Sequence, residues 1–246
     1  MPDIVTAAMV VIGDEILSGR TKDKNVGHLA DIMTAIGIDL KEVRIVPDEE
    51  DEIVAAVNAV RARYTYVFTT GGIGPTHDDI TADAISKAFG VPCDYDASAL
   101  ALMEEAYSKR GLEMTAARKR MARMPVGAAH IRNPISTAPG FQMENVYVMA
   151  GVPSIFQAML DNVVPTLRTG QKLLSTTVHC PFGEGAVAEA LAAIQKAHPD
   201  TIIGSYPKSF EGKFSTDLVI RSRSPEALAA AEAEVAAMVA GLGKAA

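Results

Sequence analysis

The amino-acid sequence predicts an α/β protein with a mainly parallel sheet, followed by a small α+β domain. Short apolar runs alternate with segments of helical periodicity along the first 168 residues. Glycine-rich turns separate many of these segments, and the order of elements changes after residue 169. Because strands that alternate with helices usually pair in parallel through right-handed crossovers, we expect the first region to form one sheet covered by helices.

The first predicted unit is a strand, a loop and a helix. Residues 7–12 form a continuous apolar run that is too short for a helix and lacks polar alternation. Such a run indicates a strand that is buried on both faces. The next helix is expected to begin near Asn25, a favourable N-cap residue, and to end at Gly37.

The alternation continues to residue 167. Strands are predicted at residues 38–46, 64–70, 128–132 and 146–149, and helices at residues 49–63, 80–89, 97–109 and 154–167. The last part of the chain instead predicts a strand, a helix, two strands and a helix, at residues 172–179, 186–197, 201–205, 214–222 and 225–239. We therefore place a domain boundary near residue 169, which gives domains at residues 1–169 and 170–246.

Composition and charge exclude several classes of protein. The 246-residue chain is 48% hydrophobic and 22% charged, which is typical of a folded globular protein. Its formal charge of −7 argues against nucleic-acid binding by counterion release. Cys93 and Cys180 are too isolated for a thiolate metal cluster or a disulfide framework. Acidic residues interrupt the apolar N-terminal stretch, so we expect no signal peptide, no membrane contact and a cytoplasmic location.

Three loops that follow predicted strands and precede helices are candidates for a ligand site. They comprise residues 13–24, 71–79 and 151–154. In a parallel sheet these loops emerge at the same edge, where the ligands of α/β sheets bind. Glycines permit close backbone approach and free amides at helix starts attract anions, so this edge is a candidate phosphate or carboxylate site. For any single loop, an equally good interpretation is that the glycines only allow a tight turn and have no role in ligand binding.

The loop at residues 70–81 carries the strongest signal. It contains three glycines, followed by the adjacent carboxylates Asp78 and Asp79 at the start of a helix. The loop matches neither a P-loop nor the dinucleotide-binding fingerprint. Asp79 alone is also consistent with a helix N-cap, although two caps are not needed. Carboxylates beside an anion site suggest a divalent cation such as Mg²⁺. Asp14 and Glu15, at the end of the first strand, could add to this acidic rim, with Asp14 as a further candidate ligand, or could equally belong to a solvated loop.

Four motifs in this order resemble the molybdopterin-binding (MoaB/Mog-like) domain family, in the version that heads competence-damage-inducible protein A (CinA). They are residues 11–20 (VIGDEILSGR), 70–81 (TGGIGPTHDDIT), 133–141 (NPISTAPGF) and 150–154 (AGVPS). The resemblance covers about residues 4–168. The remaining residues are similar to the extension of stand-alone CinA-type proteins and of the molybdopterin-binding-like part of eukaryotic FAD synthases.

The resemblance implies a three-layer domain with a pocket for a phosphate-bearing pterin, such as molybdopterin, or a nucleotide. In molybdopterin adenylyltransferases the glycine loop ends in Arg-Asp. Asp79 matches that aspartate, whereas Asp78 replaces the arginine. Loss of the positive charge of the arginine argues against adenylyl transfer. CinA-type domains are associated with metal-dependent hydrolysis of dinucleotide pyrophosphates such as ADP-ribose, and the FAD synthase relative with hydrolysis of FAD. The implied ligand-binding residues are Thr70, Gly71, Gly72, Gly74, Pro75, Ser136, Thr137, Gly151, Pro153 and Ser154.

We therefore expect a metal-dependent pyrophosphatase. The amides of the three glycines in the 71–74 loop would hold the pyrophosphate. Asp79 and Asp78 would act in catalysis, and these two residues with Asp14 would ligate the divalent cation. The alternative is a non-catalytic molybdopterin-binding protein of molybdenum cofactor biosynthesis.

Two further expectations concern partners. The C-terminal domain has a KH-like strand order, but it lacks the Gly-x-x-Gly clamp of RNA-binding KH domains, so RNA binding is disfavoured. The basic stretch at residues 118–123, as a helix with a positive face, could guide an anionic ligand, but the sequence favours a solvated or oligomer-facing surface. Like many relatives, the protein is expected to be a dimer or trimer.

Overall fold

A computed structural model describes residues 4–210 and 212–245 of the chain. The chain divides into two units, Met1–Gly170 and Gln171–Ala246. Among the described residues, two clusters of buried apolar side chains lie in the first unit and a third lies in the second. Each unit therefore has a core of its own.

A six-stranded sheet organises the first unit. The strands of this unit are, in chain order, β1 (Val5–Ile12), β2 (Ile38–Val46), β3 (Tyr66–Thr70), β4 (Cys93–Tyr95), β5 (Arg123–Pro125), β6 (Ala129–Ile131), β7 (Gly140–Met143) and β8 (Val146–Met149). The order in the sheet is β2-β1-β3-β8-β7-β6, and β4 pairs separately with β5. The first four strands of the sheet are parallel, whereas β7 is antiparallel to β8 and β6. The expectation of a mainly parallel sheet is confirmed.

Strand β1 is buried on both faces of this sheet. Ala8 and Val10 belong to one cluster of the core, whereas Met9 and Val11 belong to the other. Because neighbouring side chains of a strand point to opposite faces, each position has to be apolar. This requirement explains the uninterrupted apolar run in the sequence.

Helices cover both faces of the sheet. The helices of the first unit are α1 (Asp14–Leu17), α2 (Asn25–Ala35), α3 (Glu50–Arg61), α4 (Thr81–Phe89), α5 (Ala97–Lys109), α6 (Ala116–Arg120) and α7 (Pro153–Val163). Apolar residues of α3, α4 and α5 join the cluster on one face. Those of α2 and α7 join the cluster on the other face. The unit thus has the three layers that the family resemblance implies.

The antiparallel strands bring one more loop to the carboxyl edge of the sheet. Since β7 is antiparallel to β8, it begins at the edge where β8 ends. The connection between β6 and β7, residues 132–139, therefore lies at the same edge as the loops that follow β3 and β8. Three loops from distant parts of the chain meet there.

The second unit is a small antiparallel domain. Its elements are β9 (Leu174–Cys180), α8 (Ala188–Ala197), β10 (Ile202–Phe210), β11 (Lys213–Ser222) and α9 (Pro225–Ala245), in the predicted order. The strands form an antiparallel sheet in the order β10-β11-β9. Cys180 is buried in its core as a free thiol, and Cys93 of the first unit is also free. Within the described residues, no helix is both long and apolar enough to cross a membrane.

Candidate functional site at the carboxyl edge of the sheet

The three loops enclose a cavity of about 620 Å³ in the first unit. The loop after β3, the loop between β6 and β7 and the loop after β8 all contribute to its wall. Eight of the residues that the sequence singles out line it: Gly71, Gly72, Gly74, Pro75, Asp79, Ser136, Gly151 and Pro153. The structure therefore brings the greater part of the predicted site together.

Two glycines give the loop after β3 its shape. Gly71 and Gly72 have φ angles of +107° and +66°, a region that side chains disfavour. A methyl group on Gly71 would lie 2.1 Å from the carbonyl oxygen of Ile12, and one on Gly72 would lie 2.1 Å from Thr81 Oγ1. The loop thus passes directly over the end of β1 and the start of α4. No other residue fits these two positions without displacement of the neighbouring atoms.

The backbone amides of the glycine loop are not equivalent. The Gly71 amide donates to the carbonyl oxygen of Met149 at 3.2 Å, because it extends the pairing of β3 with β8 by one residue. It is therefore not available to an anion, which corrects the expectation for this residue. In the described part of the chain, the amides of Gly72, Ile73 and Gly74 have no hydrogen-bond acceptor. These three amides remain as candidate donors to a phosphate.

Thr70 lies behind the cavity and is absent from its lining. Its hydroxyl donates to the carbonyl oxygen of Ala150 at 2.9 Å and accepts a bond of 2.9 Å from Asn25 Nδ2. The same Asn25 nitrogen donates to the carbonyl oxygen of Gly151 at 2.8 Å. Thr70 and Asn25 therefore fix the two glycine-containing loops to each other, a positioning role rather than the predicted contact with a ligand.

Asn25 is not the N-cap of α2. The helix begins at Asn25 itself, and the carboxylate of Asp23 accepts the bond from the Val26 amide at 2.8 Å. The predicted start of the helix is correct, but the capping side chain is Asp23. Because its side chain makes no capping bond to α2, Asn25 is free to bridge the loops that follow β3 and β8.

Asn133 organises the loop between β6 and β7. Its buried side chain donates from Nδ2 to Ser136 Oγ at 2.5 Å and to the carbonyl oxygen of Ala138 at 2.8 Å. Its Oδ1 accepts bonds from the amides of Ile135 and Ser136, both at 3.1 Å. Asn133 and Ser136 line the cavity, whereas the predicted residue Thr137 does not. The motif that suggested the site contains Asn133, but only the fold shows its role.

Asp79 is the predicted carboxylate that reaches the cavity. Its Oδ2 accepts bonds from the Thr76 amide at 2.8 Å and the Thr76 hydroxyl at 2.5 Å, so the loop holds this side chain in place. The N-cap of α4 is Ile80, without a side-chain cap, so the alternative reading of Asp79 as a cap is wrong. Asp78 is 63% exposed, lies 3.9 Å from the exposed His77 ring and is absent from the lining.

Glu15, rather than Asp14, lines the cavity. Neighbouring residues of a helical turn point about 100° apart, so only one of this pair faces inward in α1. The Asp14 amide donates to Asp48 Oδ2 at 2.9 Å. Burial raises the pKa of Asp48, and the charges of Asp14, Glu15 and Asp78 act in the same direction. Glu15 therefore belongs to a group of mutually repelling carboxylates near the cavity.

The side chains fit a divalent cation only in part. Over residues 4–210 and 212–245, no group of three or more His, Cys, Asp or Glu side chains is placed to hold a metal ion. Asp14, Asp78 and Asp79 thus do not form the predicted three-carboxylate set. Two carboxylates, Glu15 and Asp79, do line the cavity. Mg²⁺ typically takes one or two carboxylates and completes its coordination with phosphate oxygens and water, so the number and type of these side chains match such an ion.

The predicted residue Ser154 lies outside the lining of the cavity. It is exposed near the start of α7, whose N-cap is Val152 without a side-chain cap. Sequence reasoning also left out the apolar part of the wall, which is formed by Ile73, Tyr107, Met121, Val152, Ile155 and Met159. Tyr107 and Met121 come from α5 and the end of α6, which no local motif connects to the glycine loop.

Comparison with known proteins agrees with this architecture. Residues 8–169 match the family described as a probable molybdopterin binding domain, and residues 172–242 match the FAD synthase middle domain. A protein of Pyrobaculum arsenaticum is 37% identical over 214 residues, which cover 83% of this chain and 81% of the relative. A protein of Saccharolobus islandicus is 33% identical over 213 residues, 83% of this chain and 81% of the relative.

A solved structure gives the same result for the first unit. The protein CinA of Thermoplasma acidophilum, described as having unknown function, superposes with a TM-score of 0.61 at 31% identity. The match covers 66% of this chain and 98% of that protein.

Proposed function

The chain belongs to the family with a probable molybdopterin-binding domain, and we propose that its cavity binds a phosphate-bearing pterin or nucleotide. We further propose that the protein hydrolyses a dinucleotide pyrophosphate with a divalent cation. ADP-ribose and FAD are the proposed substrates. The observation that supports the proposal is the convergence of unpaired loop amides, two carboxylates and an apolar wall on one cavity.

The lining of the cavity suits both parts of such a ligand. Ile73, Ile155 and Met159 offer apolar surface on which a flat heterocyclic ring can pack. The amides of Gly72 and Gly74, in the same lining, can donate to phosphate oxygens. A cavity of about 620 Å³ is in the usual range for a site that takes a small organic ligand.

The residues of the chain bind and orient the substrate in the proposed reaction. The loop amides hold the pyrophosphate, and Thr76 keeps the Asp79 carboxylate turned toward the cavity. Asp79 and Glu15 would hold the cation, which supplies positive charge to the phosphoryl oxygens when it is bound. Water adds to one phosphorus atom, the bridging P–O bond breaks, and protons are released to solvent. The products are AMP with ribose 5-phosphate from ADP-ribose, or AMP with FMN from FAD.

Replacement of Asp79 tests this assignment. The full chain is incubated with ADP-ribose or FAD, with Mg²⁺ or with EDTA, and the products are separated by chromatography. We expect products only with Mg²⁺, and a rate about 10²–10⁴-fold lower for Asp79→Asn, the range for loss of one group that stabilises the transition state electrostatically. Asp161→Asn is the matched control because it changes an exposed carboxylate of α7 outside the cavity.

Two results would contradict parts of this proposal. An Asp79→Asn variant that turns over as fast as the unchanged protein would overturn the role of Asp79. Binding of the nucleotide without any product in the presence of Mg²⁺ would overturn hydrolysis and favour the non-catalytic molybdopterin-binding alternative.

A further inference from the structure

A basic segment borders the candidate site, and most of its charges already have partners. The Arg118 guanidinium donates to the carbonyl oxygen of Glu113 and lies 4.8 Å from the centre of the Tyr107 ring. Lys119 lies 3.7 Å from a carboxylate oxygen of Glu104. Arg123 forms two bonds with Asp83, at 2.9 and 2.6 Å. These contacts hold α6 and β5 in place and occupy many of the N–H donors of these three side chains.

Arg120 differs from its neighbours. Its one bond to the described residues is long, 3.4 Å from Nη2 to the carbonyl oxygen of Asp79. Its Nε is buried and has no hydrogen-bond partner among the described atoms. A guanidinium has five N–H donors, and a buried donor without a partner costs free energy. The protein therefore keeps a cation with unused donors next to the residue proposed to bind a metal ion.

The position of Arg120 connects it to the ligand cavity. The residue lines a small recess of about 10 Å³, together with Gly72, Gly74 and Asp79. The same three residues line the large cavity. The recess has space for about one water molecule or one ligand oxygen. The guanidinium thus lies against the wall that would hold the phosphate.

The charge of the site makes this cation important. Glu15 and Asp79 line the cavity, and the charges of Asp14, Glu15 and Asp78 all act on the neighbouring Asp48 carboxylate. An anionic ligand is repelled by these carboxylates unless positive charge is supplied nearby. A divalent cation would supply part of it. Within the described contacts no carboxylate neutralises Arg118 or Arg120, and of these two only Arg120 lines the recess beside Asp79.

We propose that Arg120 is a specificity-determining residue that selects ligands carrying phosphate over otherwise identical ligands without it. The proposal rests on the ligand site assigned above. It deepens that assignment because it explains how an acidic cavity discriminates in favour of an anion. A purely structural role, in which Arg120 only holds the Asp79 carbonyl, would affect all ligands alike.

The test compares ligands that differ in charge. Binding of adenosine, AMP and ADP-ribose to the full chain is measured by calorimetry in EDTA, which prevents turnover. Arg120→Met is expected to weaken AMP and ADP-ribose about 10–100-fold, the factor for loss of a hydrogen bond to a charged group. Adenosine binding should stay within about twofold, and Arg120→Lys should restore part of the loss. Lys119→Met removes one charge from the same helix and should change none of the three affinities by more than about twofold.

The possible failures can be told apart. Wild-type protein that binds none of these ligands overturns nucleotide binding at the assigned site and this inference with it. Wild-type protein that binds AMP, with Arg120→Met weakening all ligands equally or none of them, overturns the role of Arg120 alone. Circular dichroism melts of each variant establish that it is folded, and Arg120→Gln provides a second, polar replacement in the same series.

Discussion

Gly72 and Gly111 have nearly the same backbone conformation in very different surroundings. Their φ angles are +66° and +65°. A methyl group on Gly72 would meet the buried Thr81 hydroxyl, whereas one on Gly111 would meet no atom within 4 Å. The pair separates the cost of the conformation from the cost of the close contact.

Alanine at these two positions should therefore have unequal effects. Gly111→Ala is expected to lower the free energy of unfolding by about 1 kcal/mol, the cost of a side chain at positive φ. Gly72→Ala should lower it by about 3 kcal/mol or more, because the bond from Thr81 Oγ1 to the Gly71 carbonyl oxygen is also disturbed. Urea denaturation of both variants measures the difference. Equal losses would mean that Thr81 rotates away without cost.

Single residues also show how far local sequence can predict the site. The glycines and Asp79 line the cavity, and the sequence could single them out because they lie in one loop whose composition carries the signal. The engagement of the Gly71 amide depends on Met149, and the choice of Glu15 over Asp14 depends on the orientation of a single helical turn. Neither is encoded in the residues nearby along the chain.

At the scale of elements, length and continuous burial decide what the sequence predicts, since β8 has only four residues but all four are buried. Strand β2, helix α5 and strand β8 have the predicted bounds, Ile38–Val46, Ala97–Lys109 and Val146–Met149. The elements that sequence patterns did not reveal, α1, β4, β5, α6 and β7, have three to five residues each. Such segments are too short to show a helical or strand period, and their pairing partners define them.

Helix α5 begins with a charged cap that should respond to acid. Asp96 Oδ1 accepts bonds from Ser98 Oγ at 2.6 Å, the Ala99 amide at 2.8 Å and His130 Nε2 at 2.9 Å. These bonds lower the pKa of Asp96 to about 2. Ser98 and Asp96 contact the same ring nitrogen of His130, so the three residues are not arranged as a nucleophile, base and acid.

The Asp96 cap predicts a pH dependence of stability. Because the pKa is lower in the folded protein than the ordinary value of 3.8, the carboxylate stabilises the fold above about pH 4. This contribution should be lost as the pH falls from about 4 to 2. In Asp96→Asn, which keeps a good cap, the free energy of unfolding should fall less steeply across this range. Asp31→Asn, an exposed change on α2, serves as the control, and equal slopes for both variants would contradict the assignment.

At the scale of the whole molecule, the two units raise the question of independent folding. The second unit has a core of its own, which includes Cys180, Ile194, Leu218, Ile220 and Val235. We propose that it folds without the first unit, in line with the domains expected at residues 1–169 and 170–246. The order of elements changes after residue 169, from alternating strands and helices to a unit that contains two successive strands, and this change is what predicts the boundary from the sequence. The assembly state, a dimer or trimer by expectation, stays a prediction.

A fragment of residues 171–246 tests this proposal. We expect a cooperative thermal transition, followed by circular dichroism, because the fragment keeps its buried core. A Leu218→Ala variant should lower the midpoint, since burial of this side chain contributes about 2–5 kcal/mol. A fragment that shows no transition at any temperature would mean that the second unit depends on the rest of the chain.

The bond between Asn25 and Gly151 has a consequence for biosynthesis. It joins residues 126 positions apart, and Thr70 completes the same connection. During translation, the loops around the cavity cannot meet before the chain beyond Gly151 has left the ribosome. A shorter nascent chain therefore lacks the complete pocket, and capture of the ligand has to wait until nearly all of the first unit has been synthesised.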